Sequence, residues 1–236
     1  GIFKGQTGIV NLSNIPRAIS SSIAQVIDFK YQPKGTKTYP RSLLGVIAHI
    51  RQTFYDSEWY LKSQEIVQSY PAENKALASN SSLESLGLSR ALKKPFAFIS
   101  SDDNSASRLM NISKEFDLYP WVLGSGYEYR QLDHFKQLKP FFIMPIDFPS
   151  KPNVTKYMSD LQYTTEELKH WDMAPDNLFY LSMADHDFSI TSHRLSKKSE
   201  FRKNLKRIID RGLGEDIVLA ALTTQPAEAL GLGKSM

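Results

Sequence analysis

Short apolar runs alternate with longer amphipathic stretches along most of the chain. Three short runs carry apolar residues at nearly every position and a fourth reads FSIT, and all four are predicted to be strands buried on both faces. They cover residues 95–99, 119–123, 141–146 and 188–191. A further strand or hairpin is predicted over residues 2–12, where glycines mark the bends.

The longest helical pattern covers roughly residues 41–69, where apolar residues recur mostly three to four positions apart and Pro71 follows. The same spacing predicts shorter helices, one of them capped by Thr164 or Thr165. Their ranges are about 83–93, 101–116, 128–138, 164–171, 177–183, 198–211, 214–223 and 226–230.

The alternation of strands and helices indicates βαβ units and a parallel sheet, so the predicted class is α/β. A (β/α) barrel and an open doubly wound sheet both remain open on this pattern. The segment Gly124-Ser125-Gly126 lacks the third glycine of a dinucleotide-binding loop. Residues 1–236 are treated as a single domain because the length suits one core.

Composition and net charge bear on whether the chain folds, crosses a membrane or binds nucleic acid. Hydrophobic residues make up 41% and charged residues 23%, which is typical of a folded chain. No apolar run approaches the roughly 18–20 residues of a membrane span. The net charge is +4, and the densest basic cluster, residues 194–211, is predicted to be the solvent face of a helix. No aromatic residues interleave with it, so a nucleic-acid partner is not expected.

In parallel α/β proteins the chemistry lies at the carboxyl ends of the strands. Here those positions hold residues 100–103, 124–128, 147–149 and 191–194. They contain one histidine, His193, and its nearest candidate companion is Asp102. These two residues are the candidate catalytic and metal-binding side chains, but a tight zinc site needs three or four ligands. The chain has no cysteine to add to them.

The other four histidines are poorer candidates. His49, His134 and His170 lie in predicted helices, where a structural or surface role is the commoner one. His186 precedes the strand that His193 follows, so the two should lie at opposite edges, about 15 Å apart. Ser125 has no identifiable base beside it and is not in a nucleophile elbow.

Several stretches resemble the amidohydrolase superfamily, in particular imidazolonepropionase-related amidohydrolases of large exported bacterial proteins. The most specific is residues 213–232, which read LGEDIVLAALTTQPAEALGL. It is similar to the helix pair that follows the last barrel strand in that superfamily. Further matches lie at residues 40–45, 51–60, 124–130 and 170–177.

The resemblance implies a partial, TIM-like (β/α)8 barrel of the metal-dependent hydrolase type. Members of the superfamily use one or two metal ions to activate water against amides and related C–N bonds. The chain would be an internal fragment without the early His-x-His strand and the β-sandwich. The expected partner is the remainder of the parent chain, with a homo-oligomer left open. An extracytoplasmic location is implied by the resemblance alone.

Three strand ends depart from the ligands that the resemblance implies. A histidine is expected at the first two, which read Ile99-Ser-Ser-Asp102 and Leu123-Gly-Ser-Gly126. At the last, His193 stands where an aspartate that binds metal and carries protons is expected. An imidazole is a poor substitute for that carboxylate. No cofactor is therefore expected in this chain, and zinc in the complete parent protein is left open.

Three hypotheses follow. In the first, the chain is an amidohydrolase-like domain without catalytic metal that has a structural or regulatory role in a larger hydrolase. In the second, it is an active metal-dependent hydrolase completed by sequence outside the chain. In the third, it binds a ligand in the old active-site cleft. The cleft would be lined by Ser125, Tyr127, Tyr129 and Arg130, with Trp121 beside them, although packing is the favoured role for Trp121 and Tyr129.

Overall fold

A computed structural model describes residues 1–11, 17–20, 22–30, 39–71, 75, 77–100, 103–153 and 162–233. Its contacts divide the chain into two compact units. The first consists of Gly1–Ile99 and Asn111–Pro120, and the second of Ser100–Met110 and Trp121–Met236. The single domain predicted over residues 1–236 stays a prediction.

The first unit contains five strands. They are β1 (Phe3–Gln6), β2 (Ile9–Asn11), β3 (Arg17–Ser20), β4 (Gln25–Asp28) and β5 (Pro95–Ile99). Strand β4 pairs antiparallel with β1 on one side and parallel with β5 on the other. Strands β2 and β3 form a separate antiparallel ladder. The strand or hairpin predicted over residues 2–12 is therefore two strands that pair with later segments, not with each other.

Two helices of this unit pack against each other, α1 (Leu43–Ser69) and α2 (Ser81–Ala91). Helix α1 begins where the Ser42 side chain accepts a hydrogen bond from the Gly45 N–H at 3.2 Å. The helices approach closely at Gly87, where a Cβ atom would lie 2.6 Å from Leu61 Cδ1. Both helices agree with the predicted ranges to within two residues.

A cluster of aromatic rings forms the core of the first unit. Phe54 is fully buried, and its ring contacts those of Phe3, Phe96 and Phe116. The centroid distances are 6.1, 5.6 and 4.9 Å, respectively. The rings come from β1, α1, β5 and the segment after α3 (Asp103–Glu115), so the cluster joins all four. Residues of α3 belong to both units.

The second unit is built on three parallel strands, β6 (Tyr119–Leu123), β7 (Phe141–Pro145) and β8 (Phe188–Thr191). Strand β7 pairs with β6 on one side and with β8 on the other. These strands and β5 match the four apolar runs of the sequence, so those predictions are confirmed. Val122, Phe142 and Met144 are almost completely buried, as expected for strands covered on both faces.

The helices of the second unit follow the predicted pattern with one exception. They are α4 (Leu132–Phe135), α5 (Thr165–Met173), α6 (Asn177–Met183), α7 (Glu200–Asp210), α8 (Glu215–Leu222) and α9 (Thr224–Ala229). The helix predicted over 128–138 is wrong, since this stretch forms a 3-10 turn at Glu128–Arg130 and then the short α4. Gln131 separates them, with φ −136° and ψ 33°. That extended φ interrupts the helical backbone.

Two finer expectations for these helices are confirmed. Thr164 caps α5: its hydroxyl accepts from the Glu167 N–H at 3.2 Å, and the Glu167 carboxylate accepts from the Thr164 N–H at 2.7 Å. In α7, Arg202 and Lys203 are exposed and Ile208 is buried, as predicted for a solvated basic face. No helix in the described part of the chain has the length and apolar character of a membrane-crossing segment.

His186 lies in the apolar core of the second unit. Its ring meets those of Phe135 and Phe142 edge to face, with centroids 6.3 and 5.5 Å away. Neither ring nitrogen has a hydrogen-bond partner among the described residues. Burial lowers the pKa of His186 below its ordinary value. The charge of Lys139 also lowers that pKa, whereas Asp185 opposes the shift.

His186 is expected to make the chain less stable in mild acid. Its imidazole takes up a proton more readily in the unfolded chain, because its folded-state pKa is lowered. The free energy of unfolding should therefore fall as the pH drops through about 6.5 toward the lower folded-state value. Urea denaturation between pH 8 and 5 should show a flatter pH dependence for His186→Leu than for wild type. The exposed His134→Leu is the control, and an equal slope in all three proteins would contradict the expectation.

Candidate functional site

The carboxyl ends of β6, β7 and β8 lie at one edge of the second unit because the three strands are parallel. The loop after β6 begins with Gly124, whose N–H donates to the Ile143 carbonyl at 3.0 Å. A Cβ atom at Gly124 would lie 2.8 Å from Met144 Cε, and Met144 is itself buried. Only glycine therefore fits at this point without displacing a packed side chain.

Glu128 organises the rest of this loop. The side chain is fully buried, and its carboxylate accepts four hydrogen bonds. The donors are the Ser125 N–H at 2.6 Å, the Ser125 hydroxyl at 3.0 Å, the Gly126 N–H at 3.0 Å and the Asn177 amide at 2.8 Å. Both carboxylate oxygens are used, which compensates for the burial of the charged group. The Asn177 carbonyl in turn accepts from the Tyr129 N–H at 2.8 Å.

The four predicted cleft residues lie together in and just after this loop, and His170 of α5 joins them. The rings of Tyr127 and His170 stack with centroids 3.5 Å apart. The Tyr129 hydroxyl lies 3.4 Å from His170 Nδ1. The Arg130 guanidinium covers the Tyr127 ring at 4.6 Å and donates to Glu166 at 2.7 Å. The side chains of this aromatic and basic cluster thus contact one another.

Trp121 does not join that cluster. Its side chain is buried, and its ring centroid lies 5.9 Å from that of Phe141 in the neighbouring strand. This position agrees with a packing role. Ligand binding by Ser125, Tyr127, Tyr129 and Arg130 stays a prediction.

His170 is predicted from sequence as a structural or surface residue, and the structure places it in a buried stack. Burial lowers the pKa of its imidazole, and the charge of Arg130 lowers it further. Both effects favour the neutral form of the ring, and the charge of Glu166 opposes them. The only sequence signal was its place at the start of the matching segment 170–177.

Asp147 follows β7 and faces the loop after β6. It lines a cavity of about 20 Å³ together with Ser125, His170 and Asn177, and this volume holds a single water molecule. Burial raises the pKa of the half-buried Asp147 carboxyl, and the positive charge of Arg194 opposes part of the rise. The sequence places Asp147 at a strand end but gives no reason to select it.

The end of β8 places His193 on the surface. Its side chain is exposed, and its backbone N–H donates to the Thr191 hydroxyl at 3.2 Å. The next residue, Arg194, donates to the Ser100 carbonyl at 3.3 Å. Asp102 lies outside the described residues, so its pairing with His193 stays a prediction. His186 precedes β8 and His193 follows it, which confirms that they lie at opposite ends of the strand.

The described residues at these three strand ends offer few groups that could bind a metal ion. Within the described ranges, no group of three or more His, Asp or Glu side chains is placed to hold a metal ion. Glu128 uses both oxygens in internal hydrogen bonds, which leaves Asp147 and His193. A hydrolytic zinc ion needs at least three protein ligands.

No protein-family model and no curated protein sequence matches the chain. Among solved structures, the crystal structure of an amidohydrolase from Thermotoga maritima is similar over 99% of this chain, with a TM-score of 0.78. The chain has an amidohydrolase-like fold. The sequences are 17% identical, so the similarity concerns the fold alone. The chain spans 59% of the length of that protein.

The amidohydrolase-like fold agrees with the predicted α/β class and with the parallel strands and helices of the described residues. The predicted relation to imidazolonepropionases is more specific than this comparison and stays a prediction. The same holds for closure of the strands into a barrel.

Proposed function

We propose that the chain is an amidohydrolase-like domain without a catalytic metal centre, with a structural or regulatory role in a larger hydrolase. It forms part of a (β/α)8 barrel that the remainder of the parent chain completes. The similar protein supports this arrangement, because this chain spans only 59% of that protein. The early His-x-His strand and the β-sandwich would belong to the part outside this chain.

The observation that carries the proposal is the hydrogen bonding of Glu128. The resemblance implies a histidine ligand at the end of β6, where this chain has Gly124-Ser125-Gly126. The two backbone N–H groups after Gly124 point to the Glu128 carboxylate. A metal ion could recruit that carboxylate only by leaving these N–H groups buried and unpaired, which is costly. The Glu128 carboxylate thus stabilises the conformation of the loop.

The size of the cavity beside this loop supports the same proposal. Its volume of about 20 Å³ is far below the roughly 300–1,000 Å³ of pockets that enclose small-molecule ligands. Met144, Phe148 and Pro149 line this cavity together with Asp147. Among the described residues, a cavity of this size suits a domain with a structural role.

The zinc content of the full protein tests this proposal. We expect elemental analysis to find the same zinc content in wild type, His193→Ala and the exposed control His134→Ala. Zinc that is unchanged in His193→Ala would belong to another part of the protein. A stoichiometric ion that is lost in His193→Ala and kept in His134→Ala would overturn the proposal.

A second candidate is an active metal-dependent hydrolase of C–N bonds, completed by sequence outside the chain. It is favoured by the position of Asp147 and His193 at one edge, with Asp102 preceding α3 in the sequence. The raised pKa of Asp147 is also typical of a functional carboxyl group. This candidate predicts the second outcome of the zinc analysis, so the same experiment distinguishes the two.

A further inference from the structure

Helix α1 is apolar on two opposite sides. One side is the buried face of Val46, Ile50 and Phe54, which belongs to the core of the first unit. At 3.6 residues per turn, a second apolar stripe lies about 180° away around the helix axis. A helix that is apolar all round is usually buried all round. In this chain the second side faces outward.

The outward stripe consists of residues 44, 48, 55, 59 and 66 of α1 and of Tyr70, which follows the helix; their positions fall within an arc of about 80° that also contains Gln52 and Lys62. Five of them are large side chains, and each exposes more than half of its surface. The exposed fractions are 77% for Leu44, 54% for Tyr55, 60% for Trp59, 53% for Ile66 and 61% for Tyr70. Ala48 is also exposed. Several large apolar side chains exposed on one side of a helix indicate an interaction site.

The stripe is symmetric about its own midpoint at position 57. Its members form three pairs, each equidistant from that position: Leu44 and Tyr70, Ala48 and Ile66, Tyr55 and Trp59. We propose that the stripe binds the same stripe of a second copy, with the two helices antiparallel about a two-fold axis. Each apolar residue then meets an apolar residue of the second copy, which is the self-complementarity that a two-fold interface requires.

The charged and polar residues along the stripe fit the antiparallel direction. Lys62 and Gln52 are also equidistant from position 57. The two-fold axis therefore places the Gln52 amide of one copy opposite the Lys62 ammonium group of the other. Lys62 keeps its own counter-ion, since its Nζ lies 2.7 Å from the Glu58 carboxylate. Parallel helices would instead place Lys62 opposite Lys62 of the second copy, and like charges at that distance are unfavourable.

The area of the stripe is sufficient for a dimer. Helix α1 has 27 residues and is therefore about 40 Å long. With aromatic side chains of about 150–250 Å² each, the exposed parts of the five large residues sum to about 500 Å² per copy. The pair would bury about 1,000 Å², which reaches the lower limit for a specific interface.

Sedimentation velocity of the full chain tests the interface. We expect wild type to form a dimer and Trp59→Glu to be monomeric at the same concentration, with at least a tenfold weaker association. The control is Leu219→Glu on α8, where the replaced side chain is 63% exposed and lies outside the stripe. A monomeric wild type, or a dimer that Trp59→Glu leaves intact, would overturn the proposal.

Cysteine cross-linking tests the direction of the helices in the otherwise native protein. The chain contains no cysteine, so a single introduced thiol is the only one available. Chains carrying Gln52→Cys and chains carrying Lys62→Cys are mixed and oxidised. We expect the disulfide that joins the two different chains to form in preference to either homodimeric disulfide. Predominant homodimeric disulfides would show parallel helices, and no disulfide would show that the stripes do not meet.

Discussion

Replacing Glu128 with alanine is expected to lower the free energy of unfolding by about 3–5 kcal/mol. The substitution removes a fully buried carboxylate and leaves the N–H groups of Ser125 and Gly126 and the amide of Asn177 without their acceptor. The change should be measured by urea denaturation followed by circular dichroism at neutral pH.

Two further variants are compared with Glu128→Ala. Glu128→Gln keeps one acceptor oxygen but turns an NH2 group toward buried donors, so an intermediate loss is expected. Glu65→Ala removes an exposed carboxylate near the C-terminal end of α1 and should change stability little. Equal effects of Glu128→Ala and Glu65→Ala would show that the carboxylate does not hold the loop.

Replacing Phe54 with alanine is the second change with a large expected effect. We expect a loss of about 3–5 kcal/mol, because the variant leaves a cavity among rings that cannot fully close it. Phe3, Phe96 and Phe116 surround Phe54, and its side chain is fully buried. Trp59 lies in the first unit and Trp121 and Trp171 in the second, so fluorescence of a variant that retains Trp59 alone would report the unfolding of the first unit.

The comparison variants are Phe54→Leu and Leu88→Ala. Phe54→Leu retains most of the apolar volume and should lose less than half as much stability. Leu88 is 45% exposed on α2, so its truncation should have a small effect. A loss for Phe54→Ala no larger than that for Leu88→Ala would show that the ring cluster does not form as described.

The sequence predicts strands β5 to β8 and misses β3 and β4. Strands β5 to β8 are confirmed because both of their faces are buried. Strands β3 (RAIS) and β4 (QVID) each include a charged side chain, whereas the equally short β8 (FSIT) has none. Strand β4 pairs with β5, where Gln25 lies opposite Phe96, and no local pattern encodes so distant a partner.

The helical periodicity of α1 predicts its length but not which apolar residues are buried. Ile50 and Trp59 both fit the three-to-four spacing, yet Ile50 is fully buried and Trp59 is 60% exposed. A helix with apolar residues on opposite sides gives one continuous periodic signal. Only its contacts with the core of the first unit decide which side is covered.

The sequence predicts only the part of the candidate site whose residues lie close together along the chain. The segment 124–130 places the four cleft residues near each other through the chain itself. His170 and Asn177 join them from segments more than 40 residues away, through contacts that require the folded unit. Because Glu128 begins the stretch 128–138 that is predicted as a helix, its role in the loop has no sequence signal.

The bond from Glu128 to Asn177 has a consequence for how the loop after β6 moves. Asn177 is the first residue of α6, so the loop is attached to a helix that lies 49 residues further along the chain. The amide hydrogens of Ser125 and Gly126 are bonded to the same carboxylate and can exchange with solvent only when their own bonds to it break. Opening of the loop after β6 is therefore expected to be slow, as it is for interior segments, and to be coupled to the motion of α6.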